Sequence, residues 1–166
     1  MSRTIIIDIF NPASVDAAVK DIRDYSKWVQ KKAKELSKRL AAIGVTLAAI
    51  EYSRVPYHGL KDVNLSIEVG AKPNQYDIVA AGETVLILEF GAGVTYGYGH
   101  PQPSVEGVPM GPGTYPSEKG HWDDPKGWYI PGGEHTYGNP PSMAMYLTAK
   151  ELRNRLLEVV QEVFSS

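Results

Sequence analysis

Apolar residues recur at spacings of three and four from Val15 onward: Val15, Ala18, Val19, Ile22, Tyr25, Val29, Ala33, Leu36, Leu40 and Ile43. That period puts them on one stripe of an α-helix over residues 15–43. Asn11 or Ser14 supplies the N-cap, Asp16 adds a negative charge to the first turn, and Gly44 is the expected C-cap. At ~1.5 Å per residue such a helix is roughly 45 Å long, wider than a small domain. Part of it is therefore expected to pack on something beyond its own chain. The other side is also patterned. Lys20, Arg23, Lys27, Lys31, Lys34 and Lys38 repeat at helical spacing, roughly 150° from the apolar stripe. One reading is a solvated face that keeps the helix soluble. The other is a stripe facing phosphate or acid, with Lys27, Lys31 and Lys34 as its test positions.

Shorter apolar runs predict strands. Residues 4–10 read as one, ended by Asn11 and Pro12, and residues 45–55 as another, ending before Pro56. Residues 63–69 alternate strictly, so Val63, Leu65, Ile67 and Val69 are expected to face a core. A turn over 70–74 follows. Residues 76–80 and 84–90 then read as the arms of a β-hairpin around 81–83. The run Val85, Leu86, Ile87, Leu88 is apolar throughout, as a strand covered on both faces would be. Further on, Asn139, Pro140, Pro141 and Ser142 restart regular structure, with Ser142 as cap. Met145, Ala149, Leu152, Leu156, Val159 and Val163 form the stripe of a closing helix. The order predicts one α+β domain over 1–166, an antiparallel β-sheet packed against a long N-terminal helix and a C-terminal helix.

Between the last predicted strand and the closing helix lies an extended loop or arm, residues 91–139. It holds 12 of the 16 glycines, 7 of the 12 prolines and 5 of the 10 tyrosines. Glycine and proline break regular structure, and irregular segments of this size work as binding or assembly surfaces, or order on a partner. Aromatics interleaved with Gly and Pro suit burial against another surface, since a solvated linker is Ser/Lys/Glu-rich instead. Tyr96, Tyr98, Trp122, Trp128 and Tyr129 are the expected anchors.

Composition narrows the function classes. The chain has 166 residues, 43% hydrophobic and 22% charged, as an ordinary globular domain does. A net charge of −2 gives no bulk attraction to nucleic acid or anionic membrane. With no cysteine, disulfides, thiolate catalysis and sulfur-ligated zinc are excluded. No run approaches the ~20 apolar residues of a membrane helix, and no secretion signal is visible. The expectation is a protein made in a reducing cytoplasm, without a membrane partner.

Candidate chemistry is sparse. His100, His121, Asp123, Asp124, Glu134 and His135, with Glu89 at the mouth of the loop, have the right donors for zinc or a non-haem metal. No pair of them has the spacing that puts two ligands on one helix face, however. Glu89 with Asp123 or Asp124 has the makings of a carboxylate pair for glycoside hydrolysis, with the loop aromatics stacking on sugars. The Asp-Asp-Pro-Lys-Gly run equally reads as a turn. Gly91-Ala92-Gly93 follows an apolar run but leads into prolines rather than a helix, so no phosphate cradle is expected. No catalytic constellation emerges, and no enzyme activity, cofactor or bound metal is expected. The alternative is a metal-dependent hydrolase or carbohydrate-binding module built on the loop.

Two stretches carry a resemblance. One is Val85-Leu86-Ile87-Leu88-Glu89-Phe90-Gly91-Ala92-Gly93. The other is His135-Thr136-Tyr137-Gly138-Asn139-Pro140-Pro141-Ser142-Met143-Ala144-Met145-Tyr146. A Leu-Glu-Phe-Gly strand end, a Gly/aromatic loop, a proline-led approach and a closing amphipathic helix resemble the tail-completion, or neck, proteins of long-tailed bacteriophages, minor tail components of the HK97 type. The element order matches over nearly the whole chain. The resemblance implies a structural virion subunit without catalysis, made in the host bacterial cytoplasm. It implies a homo-oligomer, a hexameric ring at the head–tail junction, between head-closure proteins and the tail-terminator or tail-tube proteins. The basic helix face is then a possible contact with DNA in the channel. This chain departs from the pattern in the size of its loop, roughly 45 residues where compact members pass quickly to the prolines.

Overall fold

The computed structural model describes residues 4–55, 57, 61–91, 126–129 and 135–165. Its dominant element is α1, Pro12–Arg54, a helix of 43 residues and about 65 Å at 1.5 Å per residue. Asn11 is the cap: its side chain accepts from the Ala13 N–H at 3.1 Å. Pro12 takes the first turn, where its missing donor costs nothing. Ser14 does not cap; its hydroxyl accepts from the Asp8 N–H instead.

The helix does not stop at Gly44, and residues 45–54 are not a strand. Gly44, Ala48 and Tyr52 are buried at helical spacing, and covering that stripe outweighs the β-preference of Val45, Thr46 and Ile50. Gly44 is there for close approach: a Cβ would run into the side chains of Ile78 and Leu152. The helix ends where Val55 turns extended, as the residue before a proline prefers.

Strands β1, Asn64–Val69, and β2, Tyr76–Ala81, pair antiparallel in register from Asn64↔Ala81 to Val69↔Tyr76. The expected alternation is only half realised. Val63, Leu65 and Ala80 pack against a core of Tyr52, Val55, Val85, Leu88 and Ala144. Exposure then rises along β1 through Ile67 to Val69, which is 81% exposed. The strand runs off the helical layer before its alternation ends.

The hairpin predicted for 76–80 and 84–90 does not form. Residues 85–90 are a short helix, α2, Val85–Phe90, which buries Val85, Leu88 and Glu89. A short apolar run cannot be assigned to strand or helix by periodicity alone. The Asp62 carboxylate holds the turn before α2. It accepts from the N–H groups of Glu83 (2.6 Å) and Thr84 (2.9 Å) and from the Thr84 hydroxyl. Those bonds, led by the Thr84 hydroxyl, hold its pKa down to about 2.

Residues 4–8 belong to no helix or strand, and a turn at 9–10 leads to α1. The sheet therefore has two strands, plus a separate pair of two-residue strands, β3 (Trp128–Tyr129) and β4 (His135–Thr136). The chain closes with α3, Ala144–Ser165, antiparallel to α1. Leu152 lies at Gly44, Arg39 pairs with Glu162, and Phe164 meets the Trp28 ring edge-on at 5.7 Å. Its buried stripe is Ala144, Thr148, Val159 and Val163; Ala149 and Leu156, expected inside, are exposed. The architecture is α+β: two antiparallel helices with a small antiparallel sheet.

Candidate functional site

The arm at 91–139 leaves and rejoins the fold at one place, and Glu89 is its centre. The Glu89 carboxylate is 5% exposed. One oxygen accepts from the Met145 N–H at 2.8 Å and the other from the Tyr146 N–H at 3.0 Å. These are orphan donors of the first turn of α3, where the helix dipole also favours a negative charge. The Tyr52 hydroxyl donates to the same carboxylate at 3.4 Å. Burial, then the charge and hydrogen bond of Glu89, push the Tyr52 phenol well above its ordinary range, so it stays a neutral donor.

Main chain joins the same place. The Ser142 N–H donates to the Leu88 carbonyl at 2.8 Å and the Met143 N–H to the Glu89 carbonyl at 3.1 Å. Ser142, the expected cap, has a buried hydroxyl with no partner; the Glu89 carboxylate, brought in by α2, takes that role. Met143 has φ 57, a left-handed turn that is costly for a residue with a side chain and persists where surrounding bonds impose it. Gly91, at φ 80, sits so close to the Asn139 carbonyl and Pro141 that a Cβ has no room. Departure and return thus touch.

The described part of the arm is its base. β3 and β4 pair Trp128 with Thr136 and Tyr129 with His135. The His135 ring makes edge contacts with Tyr129 at 5.0 Å and Tyr137 at 4.8 Å. Tyr129 is exposed, as an anchor waiting for a partner would be. Tyr96, Tyr98 and Trp122 lie outside the described residues, as do His100, His121, Asp123, Asp124 and Glu134. Among the described residues no three His, Asp or Glu side chains converge on a metal site. Glu89 borders a cleft of about 310 Å³ walled by Tyr52, Val85, Phe90, Met145 and Tyr146. Both its oxygens are engaged by α3, which makes it a clamp rather than an acid or base facing that cleft.

The basic stripe of α1 is exposed over Lys20, Arg23, Lys27, Lys31, Lys34 and Lys38. Lys27 stands 4.0 Å from Asp24, and Lys38 lies over the Tyr76 ring. Solvated contacts of this kind contribute little. The more telling surface is apolar. Among the described residues α3 reaches back as far as Trp28; beyond it Ala18 is buried, while Val15, Val19, Ile22 and Tyr25 are partly exposed on α1. Sequence reasoning named those positions as a stripe and expected part of the helix to pack beyond its own chain, but did not say which end. It missed the pairing of Tyr52 with Glu89, 37 positions apart, because Tyr52 falls in a run that reads as a strand. Comparison with protein-family models, curated proteins and solved structures finds no match to this chain.

Proposed function

We propose that this chain is a structural subunit of a tailed-phage virion, a tail-completion or neck protein without enzymatic activity. Copies associate into a hexameric ring at the head–tail junction, between head-closure proteins and the tail terminator or tube. The observation that carries the self-assembly part is the apolar stripe of α1, which continues over Val15, Val19, Ile22 and Tyr25 after α3 has ended. Exposed apolar surface continuous with a packed stripe marks an interaction face. The virion setting comes from the resemblance of the residues around Glu89 and the proline-led approach to α3.

The clamp supports the same reading. Gly91 lies against Asn139 and Pro141, so the frame closes the base of the arm, and Trp128, Tyr129 and the other aromatics are its anchors on an adjacent subunit or ring. The carboxylate-pair version of the hydrolase alternative loses ground at Glu89, whose oxygens are both bonded by α3. The lysine face of α1 is a secondary contact, weak enough to let DNA pass.

Light scattering of the purified chain, with and without a chelator, tests the proposal. A chelator-insensitive multimer is expected. A monomer that takes up stoichiometric metal and loosens in chelator would move the function to the metal-dependent class.

A further inference from the structure

We infer that residues 4–7 form a third strand on the β1 edge of a second copy of this chain. The inference rests on the self-assembly reading above and names the contact that joins neighbours.

Four observations lead there. First, the segment Thr4, Ile5, Ile6, Ile7 is strand-like in composition, yet among the described residues it belongs to no sheet. Among the described residues, the N–H and C=O groups of Ile5, Ile6 and Ile7 meet no partner. Second, Ile6 stands out in water at 86% exposure, while Ile5 and Ile7 on the opposite face are about half exposed. Third, the other half of such a contact exists on the same molecule. β1 is an edge among the described strands, six residues long. It carries neither proline nor lysine, the usual protections of an edge. Ile67 and Val69 lie exposed on the face that Leu65 turns to the core, so an added strand would continue that apolar layer. A two-stranded sheet gains from such an addition, because three strands with an apolar face are the usual minimum for independent stability.

The fourth observation is reach, and it fixes the occupant as a second copy. Tyr76, paired with Val69 at the near end of the hairpin, sits at Lys38, while Ile78 sits at Gly44. From Asn11 to Lys38 the rigid helix climbs about 40 Å. Residues 4–10, fully extended, span at most about 24 Å, all of which pairing would consume. The segment cannot fold back to its own β1. Its root is held locally: the Asp8 N–H is held by Ser14, the Phe10 N–H by the Asp8 carboxylate and the Asn11 N–H by the Asp8 carbonyl. Those bonds and the turn at 9–10 hold residue 8 beside Ser14 in the first turn of α1, about 36 Å short of Lys38 along the helix. Repeated from copy to copy, a head-to-tail contact of this kind closes into a ring or runs on as a filament.

The chain has no cysteine, so introduced thiols report cleanly. Full-length Ile6→Cys is mixed with each of Ser66→Cys, Ile67→Cys, Glu68→Cys and Val69→Cys under mild oxidation, with light scattering of the wild-type chain alongside. A disulfide-linked dimer is expected for Ile6→Cys with one or two neighbouring β1 positions, since the bond needs Cα atoms within about 7 Å. Ile6→Pro and Ile7→Pro form the second arm. Neighbouring N–H groups on a strand point to opposite edges, so one proline removes a bond of the added strand and the other does not. One of the two is expected to weaken association about tenfold more than the other, with far-UV helicity unchanged. A wild-type multimer without the cross-link, and with both prolines silent, overturns the strand addition and leaves the ring. A wild-type monomer at every concentration, with no cross-link, overturns both.

Discussion

The two ends of α1 have the same kind of sequence and opposite surroundings. Toward its C-terminal end, Gly44, Ala48 and Tyr52 are covered by Ile78, Leu152 and α2. Toward its N-terminal end, Ala18 is still buried, but Val15, Val19, Ile22 and Tyr25 continue the period about half exposed, and among the described residues α3 does not extend over them. Periodicity states which face of a helix wants cover; it does not state who provides it. The covered end should behave as a core in mutational tests, and the uncovered end as an interface that monomer stability hardly registers.

The largest break falls at the covered end. Glu89→Ala leaves two first-turn donors of α3 and the buried Tyr52 hydroxyl without their acceptor. It should cost about 3 kcal/mol, the range for orphaning buried groups bonded to a charge, measured by urea denaturation. Gly44→Val comes next: with Ile78 and Leu152 pressed against the glycine, overpacking should cost about 1–3 kcal/mol. At the uncovered end Ile22→Lys should change monomer stability by less than about 0.5 kcal/mol, as solvent-facing substitutions do, while abolishing the multimer in light scattering. A comparable loss of monomer stability there would mean that the stripe is covered within the chain after all. Reversing the charge of Lys27, Lys31 and Lys34 should leave folding intact and impair DNA retention or assembly; wild-type behaviour would retire the basic face.

Titration sharpens the contrast further, because the shifted groups near α2 lie on the covered side. The unfolded Asp62 carboxyl has the ordinary value of 3.8, and the folded one is held at about 2. The unfolded state binds the proton first, so this contribution is whole above about pH 4 and fades as pH falls toward 2. Asp62→Asn should flatten that limb of the acid unfolding curve. Tyr52 works in the opposite sense. Its folded phenol keeps its proton past the ordinary value of 10, so its contribution is whole below pH 10 and declines above it. Tyr52→Phe should remove that alkaline limb.

The start of α1 at Asn11, the paired strands over 64–69 and 76–81 and the closing helix were legible because each rests on local chemistry: a cap, an alternation, a stripe. What was not legible depends on partners far along the chain. Residues 45–54 look like a strand until Ile78 and Leu152 are placed against Gly44. Val85–Phe90 looks like a buried strand until Asp62 is placed ahead of it. Glu89 was visible only as a candidate carboxylate at the mouth of the loop, because its partners Met145 and Tyr146 lie more than 50 positions away. Residues 4–10 show the reverse case. Their pattern is a strand's, but a strand is a relation between two segments, and among the described residues the second is absent.

The contact of Gly91 with Asn139 and Pro141 has a consequence for variation. Because the frame itself closes the arm, the entropic cost of a longer insertion grows only logarithmically, about 0.6 kcal/mol for each doubling of length. The arm is in effect an exchangeable cassette on a fixed socket. Its length and aromatic content can change to suit a different neighbour, while the helices and the sheet are left untouched.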